Sequence, residues 1–226
     1  MKLGVTGDIH SPLYFNLFSE SLKKISCPDI MLLCGDIVKS NMHWEYKKVV
    51  DEIKNKGVNY IYSCFGNTEY DNSRGLYKKI DGVLFVDDEL VNVEIENKRI
   101  CLIGTRGALN KPTAWQMKNR KGIKRDYGDR IKKIEHLFEK ASKTKYDYKI
   151  LFMHYSPTYK TLKGEDEGRY DEMGCPDFEG VIKKFMPDVV FHAHSHYGTK
   201  YAEVYGTPVY NVSLPLNKEI KIIDLE

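Results

Sequence analysis

Apolar residues along the first third of the chain alternate between short continuous runs and helical spacing. Lys2 to Gly7, Asp29 to Cys34 and Val58 to Phe65 are apolar runs of the length typical of buried strands. Between them, Leu13 to Ile25 and Trp44 to Lys56 carry apolar residues at the spacing of amphipathic helices. This β-α-β-α-β order predicts neighbouring parallel strands joined by right-handed crossovers.

The rest of the chain changes character and predicts a hairpin, a basic helix and further strands. Val91 to Ile95 and Arg99 to Ile103 flank a turn at Asn97-Lys98, which is typical of a β-hairpin. A basic helix is predicted at about Asp126 to Lys143. The last third predicts a strand, a helix, a strand and an antiparallel meander, at Lys149 to Met153, Asp177 to Phe185, Asp188 to Phe191 and Lys200 to Asp224. We therefore predict one α/β domain over residues 1–226, with mixed sheets covered by helices.

Composition excludes several classes of protein. The chain has 226 residues and a formal net charge of only +3, from 35 Lys and Arg against 32 Asp and Glu, so a dedicated nucleic-acid binder is not favoured. No run approaches the roughly 20 apolar residues of a membrane span. The start of the chain has no apolar run before Asp8, and none of the five cysteines forms a CxxC pair. We therefore expect a cytoplasmic protein with free thiols; composition does not predict its oligomeric state.

Side chains that bind metals follow five of the predicted strands. They are Asp8 and His10, Asp36, Asn67, His154, and His194 with His196. Because ligands bind beyond the carboxyl ends of strands in open α/β sheets, we expect these distant groups to converge. Each motif alone is common in unrelated proteins, since Gly-Asp or Gly-Asn after a strand is often only a turn. Their order, with each at a strand end, is what favours one site.

Carboxylates, an amide carbonyl and neutral imidazoles suit divalent first-row metals, here Mn²⁺, Fe²⁺, Zn²⁺ or Ni²⁺. The set contains no cysteine, which argues against a structural zinc site. Two such ions side by side can share a carboxylate and a bridging hydroxide that attacks the substrate. A phosphate ester suits this arrangement, because both ions neutralise charge on the transferring group.

In this order the motifs resemble those of the calcineurin-like metallophosphoesterases, whose pattern is D-x-H, G-D, G-N-H-[DE], a later G-H and G-H-x-H. The chain has Asp8-Ile9-His10, Gly35-Asp36, Gly66-Asn67-Thr68-Glu69, Met153-His154 and Ala193-His194-Ser195-His196. The resemblance extends over nearly the whole chain. It implies a four-layer α-β-β-α sandwich of two mixed sheets and a metal-dependent phosphoric ester hydrolase acting on a small phosphorylated or nucleotide-like substrate.

The resemblance also implies a division of the ligands between two metal ions, with manganese the leading candidate. Asp8, His10 and His196 would hold one ion, Asn67, His154 and His194 would hold the other, and Asp36 would bridge them. His192 matches no ligand of the family.

The chain departs from the family pattern most importantly at Thr68, where the family usually has histidine. A threonine cannot act as a general acid near neutral pH and can only donate a hydrogen bond. Catalysis should then depend more on the metals or favour good leaving groups. Glu69 would normally pair with that histidine. Thr68 and Glu69 remain the candidate catalytic residues. Met153 and Ala193 replace two family glycines.

Arg106 is a candidate for substrate binding, because it follows a predicted strand between two glycines and arginine binds phosphate with two donors. A structural arginine is the alternative. The loop from Lys163 to Gly174 is either a lid over the site or a plain solvated loop.

Two other functions stay open. A nuclease would need a basic groove lined with aromatic side chains, and no separate nucleic-acid domain is evident. A protein-interaction scaffold that has lost turnover is favoured by Thr68 but disfavoured by the complete set of ligand types. Whether the substrate is a monoester or a diester is also open, with Thr68 favouring activated diesters.

Overall fold

The computed structural model describes residues 1–225, in which hydrogen-bonded strands form two sheets. The strands are β1 Lys2–Thr6, β2 Ile30–Cys34, β3 Tyr60–Cys64, β4 Leu84–Phe85, β5 Glu89–Ile95, β6 Lys98–Thr105, β7 Tyr148–Met153, β8 Val189–His192, β9 Tyr201–Val204, β10 Thr207–Asn211 and β11 Lys221–Asp224. The helices are α1 Phe15–Lys24, α2 His43–Asn55, α3 Arg74–Tyr77, α4 Ala114–Asn119, α5 Ile123–Ala141, α6 Phe178–Phe185 and α7 Leu214–Asn217.

Both sheets are mixed. The first has the order β11-β1-β2-β3-β4, with β1 to β4 parallel and β11 antiparallel to β1. The second has the order β5-β6-β7-β8-β10-β9, with a parallel centre and antiparallel strands at both edges. The parallel strands are almost wholly apolar, because both of their faces are buried.

Three hydrophobic cores separate four layers. Alternate residues of the two sheets, such as Leu32 and Phe152, face each other in the central core. Their strand neighbours point outwards. Leu33 packs against α1 and α2 in one outer core, and Leu151 packs against α5 and α6 in the other. The expected four-layer α-β-β-α sandwich is confirmed.

The expected elements are present, with ends shifted by a few residues, and the hairpin is formed by β5 and β6. The predicted meander at the end of the chain is wrong in part. Only β9 and β10 form an antiparallel pair there, and the short helix α7 follows β10 where the meander would turn back. β11 crosses to the other sheet and pairs with β1, because the edge of β1 offers unpaired backbone groups and an apolar face that it can cover.

None of the helices within residues 1–225 is long and apolar enough to span a membrane.

The central core gives the first testable prediction. Leu102 of β6 is fully buried between the sheets, so Leu102→Ala should lower the free energy of unfolding by about 2–5 kcal/mol through lost burial and a residual cavity. Leu76→Ala, in exposed α3, is the matched control and should change it by less than about 0.5 kcal/mol. Urea unfolding measures both; equal values would contradict the packing of the two sheets against each other.

Candidate metal centre

The loops that follow β1, β2, β3, β7 and β8 meet at one end of the two sheets. Six of the predicted ligands form two groups there, and within each group the ligand atoms lie within 4.8 Å of one another. One group is Asp8, His10 and His196, and the other is Asp36, His154 and His194. The seventh, Asn67, joins the second group, because its Oδ1 lies 2.9 Å from Nε2 of His154.

Asp36 lies between the two groups. Its Oδ2 is 3.8 Å from Nε2 of His10, which belongs to the first group. Its Oδ1 is 3.5 Å from Nε2 of His154, which belongs to the second. A single carboxylate therefore faces both groups of histidines, as a bridging ligand must.

The chemistry of the donor atoms fits metal ions. Nδ1 of His154 lies 3.0 Å from the carbonyl oxygen of Cys34, which can only accept, so Nδ1 carries a proton and Nε2 is the nitrogen that faces the site. Nε2 and the nearby oxygens of Asn67 and Asp36 form a set of donor atoms that suits a metal ion when Nε2 is unprotonated. In the first group, the fully buried Oδ1 of Asp8 has no hydrogen-bond partner among the described residues.

The protonation states also suit metal binding. Burial lowers the pKa of His194 to about 3, so its imidazole is neutral at neutral pH. Burial works against ionisation of Asp8, but the hydrogen bond with His196 and the charges of the surrounding histidines together hold the pKa of Asp8 below its usual range. Asp8 is thus ionised and His194 neutral, the states in which a carboxylate and an imidazole bind metals.

The backbone at the ligands is strained. Asp8, His10, Asp36 and His194 all have positive φ angles, at 55°, 43°, 52° and 69°. This left-handed region is unfavourable for residues other than glycine and is concentrated at functional sites. Gly66 also cannot be replaced by a larger residue without a clash, because a Cβ there would lie 2.1 Å from Oδ1 of Asp36.

Glu69 ties two of the ligand loops together. Its fully buried carboxylate accepts hydrogen bonds from the backbone N–H groups of Asp36, Ile37, Val38 and Gly66, at 2.7–3.2 Å. Burial, and then the nearby Asp36 carboxylate, raises the pKa of Glu69 to about 7. This geometry favours a positioning role for Glu69 over contact with substrate.

Thr68 and Arg106 are also held by the protein. The hydroxyl of Thr68 donates to the carbonyl oxygen of Val38 at 2.7 Å, and its backbone N–H donates to Oδ1 of Asp36 at 2.8 Å. The buried guanidinium of Arg106 donates to the carbonyl oxygen of Glu69 and pairs with Asp71, both at 2.9 Å. Arg106 therefore lies beside the ligand loop that contains Asn67.

No motif in the sequence predicts the contact that supports the turn carrying His194 and His196. Glu165, in the loop that was expected to be a lid or a solvated segment, accepts from the Ser195 hydroxyl and from the backbone N–H of Tyr197, each at 2.9 Å. These two donors flank His196. The loop is anchored to the metal centre at this point, through a residue whose spacing from the histidines follows no motif.

The family model of calcineurin-like phosphoesterases matches residues 1–198, which contain every ligand described above. The chain belongs to this family. Among curated proteins, none has a significantly similar sequence.

Solved structures of similar fold include a protein of Thermus thermophilus, with 14% identity and a TM-score of 0.59 over 99% of this chain and 98% of that chain. A purple acid phosphatase from yellow lupin seeds has 15% identity and a TM-score of 0.62, covering 100% of this chain and 46% of its own. A candidate 5′-nucleotidase from Staphylococcus aureus has 12% identity and a TM-score of 0.60, covering 93% and 48%. These similarities show the fold.

The contact of Glu165 generates a prediction about metal affinity. Glu165→Ala leaves the donors of Ser195 and Tyr197 without their acceptor, so the turn that carries His194 and His196 loses its contacts on the side of His196. We expect Mn²⁺ to bind about 10–100-fold more weakly, as for other residues that orient metal ligands. Isothermal titration calorimetry on the metal-free protein measures this. The control is Glu167→Ala, an exposed glutamate of the same loop, and equal Mn²⁺ affinity in the two variants would contradict the role of Glu165.

Proposed function

We propose that this family member hydrolyses phosphoric esters with two divalent metal ions, one in each group of ligands. Asp8, His10 and His196 would hold one ion, Asn67, His154 and His194 the other, and Asp36 both. The observation that carries the proposal is the position of Asp36, whose two carboxylate oxygens face histidines of different groups at 3.8 and 3.5 Å.

When bound, the two metal ions supply charge neutralisation for the transferring phosphoryl group and activate water as the nucleophile. The residues of the chain supply position. The carbonyl of Cys34 fixes the tautomer of His154, and the backbone N–H of His194 donates to Oδ2 of Asp8 at 2.7 Å. Ligands held in this way need no reorganisation during the reaction, which is the main source of electrostatic catalysis.

The ligand set suits manganese, and iron, zinc and nickel are the other candidates. The lupin protein is a phosphatase and the staphylococcal one a candidate nucleotidase, which supports a small phosphorylated or nucleotide-like substrate for this chain.

The protein offers no evident acid for the leaving group at Thr68. The hydroxyl of Thr68 already donates its proton to Val38, and a hydroxyl of this kind does not ionise near neutral pH. The leaving group must then depart without receiving a proton from residue 68. We therefore propose that the enzyme favours substrates whose leaving groups are stable anions, with activated diesters ahead of alkyl monoesters.

The proposed bridging carboxylate generates a prediction about hydrolysis. Asp36→Asn keeps the shape of the side chain but removes its charge, and we expect hydrolysis of p-nitrophenyl phosphate and bis-p-nitrophenyl phosphate with Mn²⁺ to fall at least about 100-fold. Asp81→Asn, at an exposed aspartate, should keep full activity. The ratio of the two wild-type rates decides between monoester and diester. A folded, Mn²⁺-binding wild type without activity on either ester would favour a scaffold role instead.

The second prediction is for the leaving group. Thr68→His places an imidazole at the family's usual position, and general-acid catalysis of this kind is worth roughly 10²–10⁴-fold for poor leaving groups. We expect the rates of a series of aryl phosphates to depend less steeply on the leaving-group pKa in Thr68→His than in the wild type. Thr68→Asn, similar in size but unable to deliver a proton, is the control. If the rates of both variants depend equally steeply on the leaving-group pKa, the lack of an acid at residue 68 does not explain the substrate preference.

A further inference from the structure

Three arginines converge on one carboxylate beside the metal centre. Asp71 begins a short 3₁₀ helix four residues after Asn67. Its Oδ1 pairs with Arg106 at 2.9 Å and with Arg74 at 3.0 Å, and its Oδ2 pairs with Arg120 at 2.6 Å. The three guanidinium groups come from separate places in the fold, at the end of β6, the start of α3 and the end of α4.

The charges in this cluster do not balance. Arg74 has a second partner in Asp87, at 2.6 Å, and Lys78 also approaches Asp87. In direct ion pairs, three arginines thus share two aspartates. Burial works to lower the pKa of Arg106, but the charges of Tyr155, Asp71 and Glu69 raise it overall. Burial, and then repulsion from Arg106, lowers the pKa of Arg74. Repulsion of this kind is relieved by a further anion.

The cluster also has unused donors and an open face. The buried Nε atoms of Arg74 and Arg106 have no hydrogen-bond partner among the described residues. The side chains of Asp71 and Arg120 are 38% and 33% exposed, so the pair between them is accessible to solvent. An exposed ion pair contributes only about 0–1 kcal/mol to stability. Stability alone is therefore a weak reason for Arg120 to join the two more deeply buried arginines.

The cluster borders the ligands of the second group. Arg106 donates to the carbonyl oxygen of Glu69, two residues from Asn67, and its own carbonyl oxygen accepts from the N–H of Tyr155 at 3.0 Å. The ring of Tyr155 lies 4.9 Å from the ring of His194. The cluster is therefore adjacent in the fold to the loops that carry Asn67 and His154.

We propose that Arg74, Arg106 and Arg120 form a subsite for a second phosphoryl group of the substrate, with Asp71 holding the guanidinium groups in place until that group binds. Arginine recognises phosphate through paired, charge-assisted hydrogen bonds, and clusters of arginine are used wherever this recognition matters. This inference rests on the proposed function and narrows its substrate class to esters that carry a phosphoryl group besides the one that is cleaved.

The first test uses inorganic phosphate and the metal-free protein, so that the arginines are tested without the metal centre. Isothermal titration calorimetry should show phosphate binding to the wild type and binding at least about tenfold weaker to Arg120→Gln, through loss of a charge-assisted contact. Arg125→Gln, at an exposed arginine of α5, should bind like the wild type. Asp71→Asn should bind phosphate more tightly, because the competing carboxylate charge is gone, whereas a purely structural cluster gives no such gain.

The second test distinguishes a phosphoryl group of the substrate from free phosphate. The Mn²⁺-loaded protein is titrated with methylphosphonate and with α,ω-alkanebisphosphonates of increasing chain length, which are not hydrolysed. One bisphosphonate should bind at least about tenfold more tightly than methylphosphonate, and Arg120→Gln should abolish that difference.

Absence of phosphate binding to the metal-free wild type, or equal binding by Arg120→Gln, would overturn the subsite. If phosphate binding depends on Arg120 but no bisphosphonate gains affinity, the cluster takes free phosphate and the substrate proposal is wrong. Neither titration needs turnover, so failure of the hydrolysis assay would not be mistaken for failure of the subsite.

Discussion

Two buried carboxylates, those of Asp36 and Glu69, fix the geometry on which the rest of the metal centre depends. A buried charge is costly unless it is fully compensated, and the two residues solve this differently. Glu69 collects four backbone N–H groups from the loops after β2 and β3, including that of Asp36 itself. Asp36 accepts from the backbone of Thr68 and otherwise faces histidines. The two loops are thereby locked together, and the free face of Asp36 is left for cations.

The ligands of the two sheets are joined by a similar device. Oδ2 of Asp8, after the first strand, accepts from the backbone of His194, after the eighth. Four ligands hold left-handed backbone angles, each of which costs roughly 1–2 kcal/mol. This strain is tolerated because the three hydrophobic cores fix the strand ends from which the loops start. The packing of the sandwich thus offsets the backbone strain that places these side chains at the metal centre.

The residues around the metal centre supply positive charge but no proton donor at residue 68. The position at which the family usually has histidine holds a threonine whose hydroxyl donates to Val38. Under the proposed function, the chain would therefore rely on positive charge more than on proton transfer. That charge would come from the metal ions at the centre and from the arginines around Asp71 at its border. The substrate that we propose fits both features, because it carries a second phosphoryl group and its leaving group is a stable anion.

The sequence by itself determined which residues end the strands and the order in which they do so. Apolar periodicity is a local property, so β1 to β3, the hairpin and the helices could be predicted, and the motifs from Asp8 to His196 indicated the family. Other features depend on contacts between distant residues. The pairing of β11 with β1 joins the two ends of the chain, Glu165 supports a turn thirty residues away, and Arg106 was expected only as a lone arginine. Such contacts are selected by packing and by compensation of buried charge, which operate only once the layers have assembled; therefore the tertiary structure alone decided how the ligands face each other and which arginines gather beside them.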